Sequence, residues 1–138
     1  MKSRLLPLLI AALFALRLSA AESGHAVHIA PADAAKLVAE GKAVLVDVRE
    51  PSEWAELGVA APATLLPTSD FKHDRKQWAP FLKGVGDKTI ITYCAVGIRA
   101  GRIADVLAAE GFKTAVAGGF KDWTAAGLPV RKVDAAKP

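Results

Sequence analysis

Hydrophobic and polar positions fall along this chain in two kinds of block. Short apolar runs rich in β-branched residues alternate with longer stretches in which apolar residues return every three or four positions. Ala26 to Ile29 is the first short run, and Pro31-Ala32-Asp33 then opens a helical stretch that ends at Gly41. Ala43 to Val48 reads Ala-Val-Leu-Val-Asp-Val, almost without a polar face, and predicts a strand buried on both sides. Pro51 to Leu57 predicts a short helix stopped by Gly58, and Thr64 to Pro67 a brief extended piece. Arg75 to Leu82 predicts another helix, with Pro80 allowing a break at Ala79. Thr89 to Tyr93 is a second buried strand. Arg99 to Glu110 gives the strongest helical pattern, with Ala100, Ile103, Ala104, Leu107 and Ala108 on one face and Gly111 as its stop. Thr114 to Ala117 predicts a last strand, followed by Gly118-Gly119, a small helix around Trp123, and a tail expected to fray after Val130. Strands alternating with helices predict an α/β fold, a parallel sheet covered on both faces.

The first 21 residues follow a different pattern. Lys2 and Arg4 precede an apolar run from Leu5 to Leu16, and small residues follow up to Ala21. This is the layout of a secretory signal peptide, with cleavage expected after Ala21. The run is short of the roughly 20 apolar residues that a membrane span needs. The expectation is a soluble exported protein, periplasmic in a bacterium, with a single domain over residues 22–138 and a core over about 25–131. Charge supports this division. The 138 residues carry a formal net charge of +4, which falls to +1 without Lys2, Arg4 and Arg17. A nucleic-acid binder needs a retained basic face, so that class is excluded. Lys72, Arg75 and Lys76, interleaved with Asp70 and Asp74, read as a solvated face.

One cysteine forbids an intrachain disulfide and a cysteine-rich metal site. His25, His28 and His73 have no cysteine or acid at metal-ligand spacing, so no metal site is expected. Trp54, Trp78 and Trp123 read as core or pocket wall. The single thiol, Cys94, follows the second buried strand and lies in a loop before the strongest helix. Ligands of parallel sheets bind at the carboxyl ends of strands. Unpaired N–H groups and the positive end of the helix dipole gather there, and both favour thiolate over thiol. An inert buried cysteine is the plain alternative, set against the hazard of an unpaired thiol in an oxidising compartment.

Cys94-Ala95-Val96-Gly97-Ile98-Arg99-Ala100 resembles the active-site loop of rhodanese-like sulfurtransferases, Cys-x-x-Gly-x-Arg-Ser/Ala. Val46-Asp47-Val48-Arg49-Glu50, followed by Glu53-Trp54, resembles that family's Asp-x-Arg strand end. Gly58 to Pro67 is similar in length to its Gly-His-Ile-Pro-Gly-Ala-x-x-Ile-Pro stretch. Gly118-Gly119-Phe120 through Trp123, then Ala126 to Val130, resembles its C-terminal signature. The resemblance covers about residues 25–131. It implies a three-layer rhodanese-like fold with a five-stranded, mainly parallel sheet flanked by helices.

The resemblance also implies an activity. The Cys94 thiolate would take a sulfane sulfur from thiosulfate or a persulfide donor, and a thiol or cyanide would accept it. Cys94 would be the catalytic nucleophile. Ala95, Val96, Gly97, Ile98 and Arg99 would bind substrate, chiefly through backbone N–H groups, with no metal or organic cofactor. The implied partners are a small sulfur-containing anion or thiol, and in a relay a protein sulfur acceptor. Neither nucleic acid nor membrane is a partner once the signal is cleaved, and a monomer is expected. Asp47 and Arg49 would be structural or anion-orienting, while Arg99 would meet the substrate anion or pair with an acid such as Asp47.

The sequence departs from the family where hydroxyls often stand, at Val96 and Ala100. Val59-Ala60-Ala61-Pro62 replaces the usual His-Ile-Pro-Gly turn. Two other functions remain open. One is a partner-binding module without activity. The other is a thiolate phosphatase or arsenate reductase, although only four residues separate Cys94 from Arg99, one fewer than in the related phosphatases.

Overall fold

The computed structural model describes residues 25–134, so the export segment expected over residues 1–21 lies outside the described residues. In chain order the elements are β1 (Val27–His28), α1 (Pro31–Ala39), β2 (Ala43–Asp47), α2 (Pro51–Leu57), β3 (Val59–Ala60) and β4 (Thr64–Leu65). There follow α3 (Thr68–Lys72), α4 (Trp78–Gly84), β5 (Thr89–Cys94), α5 (Ile98–Ala109), β6 (Thr114–Gly119), α6 (Phe120–Ala125) and β7 (Val130–Arg131). Five strands form one sheet in the order β1-β6-β5-β2-β4, every pairing parallel. The two central strands, β5 and β2, are the two runs predicted as buried strands, and each is covered on both sides.

Alternation along those strands divides the core. Val46, Val48, Ile90 and Cys94 face Ala100, Ile103, Ala104 and Leu107 of α5, with Phe71 of α3 and Trp78 of α4 beside them. Leu45, Ile91 and Tyr93 face the other way, towards Ala34 of α1 and Phe120 and Trp123 of α6. All three tryptophans are buried, as expected. The α5 face follows most of its sequence pattern: Ala100, Ile103, Ala104 and Leu107 are buried, but Ala108, expected on the same face, is exposed, as is Val106.

The region between β4 and β5 differs from the sequence reading. No single helix spans Arg75 to Leu82. Helix α3 comes first, α4 begins only at Trp78, and Arg75 between them has a left-handed φ of 53°. Asp70 explains the late start. Its carboxylate accepts the N–H groups of Gln77 at 3.0 Å and Trp78 at 3.1 Å, so it caps α4 from outside the helix. Pro80 then falls in the first turn, where a missing N–H leaves no bond unmade.

The tail is also more ordered than expected. Val130 and Arg131 pair antiparallel with Ala60 and Val59. The Arg131 side chain donates to the carbonyls of Ala61 at 3.1 Å and Ala63 at 2.8 Å. The Val59-Ala60-Ala61-Pro62 turn is thus held by the strand that follows α6.

Candidate functional site

Cys94 is the last residue of β5 and not a loop residue, which corrects the sequence reading. It is 1% exposed and packs within the α5-side core. The chain turns immediately after it. Gly97, at φ +101°, is the N-cap of α5 and adopts a left-handed conformation that glycine takes without steric penalty. That turn brings the Gly97 N–H to 3.1 Å from Cys94 Sγ. No side chain caps the start of α5, so its first-turn N–H groups are not taken by a capping side chain. The loop's exposed side chains are Val96 and Ile98, each 62% exposed. Both lie among the positions expected to bind substrate.

The wall behind the loop is bare backbone. A bulge in the β5–β6 pairing sets Cys94 opposite Gly119. A Cβ on Gly119 would overlap the Ala95 carbonyl and reach Val96 Cα at 3.0 Å. Gly118, at φ +65°, lies 3.5 Å through its carbonyl oxygen from where a Gly97 Cβ would stand. Asp122 fixes this wall by accepting the Gly119 N–H at 2.9 Å. The Gly118-Gly119 pair belongs to the C-terminal signature noted above. Its role as the backing of the cysteine loop was not legible without the β5–β6 register.

Arg99 pairs with Glu53, not with Asp47. Its Nη1 donates to Oε2 at 2.7 Å and its Nη2 to Oε1 at 2.8 Å. Arg99 is the second residue of α5, where the helix dipole disfavours a cation, and Glu53 offsets that charge. The pair is about one-third exposed. Hydrogen bonding to Arg99 is the main reason the Glu53 carboxyl is lowered from 4.5 to about 2. Arg99 is raised, first by the hydrogen bond to Glu53 and then, among smaller effects, by Cys94. Glu53 is itself held, because Oε2 also accepts the Glu50 N–H at 2.9 Å at the start of α2.

Asp47 and Arg49 form a separate, sealed pair, 0% and 1% exposed. Arg49 Nε donates to both Asp47 carboxylate oxygens at 3.1 Å, and its Nη2 donates to Asp47 Oδ2 and the Gly58 carbonyl, each at 2.7 Å. Its guanidinium lies 4.3 Å from the Phe120 ring centroid. Tyr93 completes this seam by accepting the Ala60 N–H at 3.0 Å. Burial, then the Asp47 charge, raises the Tyr93 phenol well above its ordinary value. The pair is thus placed to tie β2 to α2 and β3, away from solvent. Among the described residues there is no cluster of three His, Cys, Asp or Glu side chains that could hold a metal ion.

A model of the rhodanese-like domain matches residues 30–126. The chain belongs to the rhodanese-like domain family. It is 36% identical over 84 residues to the uncharacterised protein YqhL of Bacillus subtilis, covering 59% of this chain and 61% of that one. The chain therefore spans about three-fifths of the length of that relative. Among solved structures it is similar to the homodimeric polysulfide-sulfur transferase of Wolinella succinogenes. That match has 26% identity, a TM-score of 0.61, and covers 82% of this chain and 83% of the other. It is also similar to a Rhodopseudomonas palustris protein of unknown function, described as a possible tyrosine phosphatase. There the identity is 27%, the TM-score 0.64, and the coverage 77% and 85%. The five-stranded parallel sheet flanked by helices is the rhodanese-like fold that the sequence motifs implied.

Proposed function

We propose that this protein is a sulfurtransferase that carries sulfane sulfur as a persulfide on Cys94. One observation carries the reading: the lone thiol ends a central strand, receives the Gly97 N–H at 3.1 Å, and stands before an uncapped helix start. These backbone donors stabilise a sulfur anion, and the Arg99 guanidinium, already paired with Glu53, favours it as well. The Cys94 thiolate attacks the outer sulfur of a donor. The Sγ–S bond forms as the donor's S–S bond breaks, and the electron pair leaves with sulfite or with an organic thiolate. A thiol or cyanide then takes the outer sulfur and regenerates the thiolate. Donor and acceptor alone balance both steps. The same N–H groups hold the anion before and after transfer, which is electrostatic stabilisation by a fixed frame.

The phosphatase reading has support from the likeness to the possible tyrosine phosphatase. The sulfur reading is favoured because Arg99 is bidentate on Glu53 and only four residues separate Cys94 from Arg99. A tetrahedral oxyanion needs a wider loop and a free guanidinium. Export is proposed on the pattern of residues 1–21 alone, with a monomer released to the periplasm. Thiocyanate production from a sulfane donor and cyanide tests the activity. The wild type should turn over and Cys94→Ala should not. Phosphate release from an aryl phosphate that depends on Cys94, with no thiocyanate, would replace this reading with the phosphatase.

A further inference from the structure

Resting on the persulfide reading, we propose that this site selects organic sulfane donors of low charge over the thiosulfate dianion. Such donors are alkyl or aryl groups carrying S–S⁻ or SO₂–S⁻. The inference follows from the charges and side chains around Cys94. Transfer from thiosulfate brings a dianion against a thiolate. Arg99, the guanidinium that interacts with the thiol, is already matched in charge. Arg99 is bidentate on Glu53, and Arg49 is bidentate on Asp47 within a sealed seam. The remaining donors are backbone N–H groups, one of which already points at Sγ.

Any donor that reaches the sulfur meets the loop that wraps it, and that loop presents Val96 and Ile98. Two exposed apolar side chains without a hydroxyl give a sulfonate nothing to bond. They give an alkyl or aryl group surface to cover. The organic donors are also chemically balanced: attack on the outer sulfur of R–SO₂–S⁻ forms the Sγ–S bond, breaks the donor S–S bond and releases the sulfinate R–SO₂⁻. Attack on R–S–SH forms the Sγ–S bond, breaks the donor S–S bond, and yields the Cys94 persulfide and RSH after one proton moves to the leaving thiolate.

Glu53 is therefore a specificity-determining residue. It acts through Arg99, by cancelling the charge that a dianion would need. The experiment compares thiosulfate with benzenethiosulfonate, which delivers the same outer sulfur with one negative charge fewer and an apolar body. Single-turnover loading of Cys94 is followed by intact mass. Each rate is divided by the donor's rate with 2-mercaptoethanol, which removes intrinsic reactivity. The wild type should prefer benzenethiosulfonate by about tenfold or more, the size expected for one extra charge near the thiolate. Glu53→Gln should raise thiosulfate loading by about tenfold and narrow the preference, because Arg99 keeps a neutral partner and recovers its charge. Val96→Lys, at an exposed position, should raise it too without disturbing Glu53. Equal normalised rates in the wild type, or no thiosulfate gain in either folded variant, would overturn the selectivity and leave the persulfide reading standing. No sulfur added to Cys94 by either donor would remove the persulfide reading itself.

Discussion

The two ion pairs at the carboxyl end of the sheet use the same chemistry in different surroundings. Asp47–Arg49 is dry, with the guanidinium stacked on Phe120 and bonded to the Gly58 carbonyl. Glu53–Arg99 is about one-third exposed and bridges the first turns of α2 and α5. Burial decides what each contributes. A sealed pair is weakly stabilising as a pair, but removing one member strands a charge with no water to take it. A half-wet pair is cheap to lose in stability, and its main effect is the charge it presents to the neighbouring site. The first pair holds the frame, and the second sets the electrostatics at the thiol.

Asp47→Ala breaks the dry pair and should have the largest effect. It leaves Arg49 charged and buried, and should destabilise the fold by about 3–5 kcal/mol in urea unfolding. A change below about 1 kcal/mol would mean that water reaches the seam. Gly119→Ala disturbs the wall shared by neither pair. Its Cβ has no room against the Ala95 carbonyl, and the strain should be about 1–3 kcal/mol with a marked loss of sulfur loading. Unchanged loading would show that the loop does not need that wall.

Glu53→Gln should cost about 1 kcal/mol or less at neutral pH. Its pH dependence sharpens the contrast. The Glu53 carboxyl lies at about 2 in the fold against 4.5 when free. Its contribution is therefore present above pH 4.5 and is lost as pH falls towards about 2. The stability gap between wild type and Glu53→Gln should close across that window. A gap that stays constant would mean that the carboxylate charge is not what stabilises. Val96→Ser should be the mildest change, within about 0.5 kcal/mol in stability because the side chain is exposed. It should raise thiosulfate loading modestly by supplying a hydroxyl.

Features carried by local pattern were legible in the sequence. Ala43 to Val48 and Thr89 to Tyr93 are short runs with few polar residues, and α5 shows four of the five residues of its expected stripe buried, Ala108 being exposed. The placement of Cys94 between a strand end and a helix start followed from the same patterns. Features that depend on distant partners were not legible. Glu53 and Arg99 are 46 residues apart, and nothing periodic links them. Glu53 stood within a stretch resembling the family's Asp-x-Arg motif, yet it carried no role until α2 and α5 met. The β3–β7 pairing joins residues about 70 apart, which is why the tail read as frayed. Helix α3 was missed because five residues are too few to show a period. Cys94 was taken for a loop residue because the β5–β6 bulge that extends the strand by one residue leaves no mark in composition.

The central claim is that Cys94 holds sulfur, and the most direct measurement is the intact mass of the folded protein after exposure to a sulfane donor. The buried position of Cys94 makes Cys94→Ala the better control beside Cys94→Ser, since a hydroxyl there enters the core. The wild type should gain the mass of one sulfur atom, lose it to cyanide or a reductant, and regain it on a second addition. Both variants should show no gain while keeping the wild-type circular dichroism. A wild type that gains no sulfur from thiosulfate, benzenethiosulfonate or an alkyl persulfide would contradict the account, and so would an adduct that persists in Cys94→Ala.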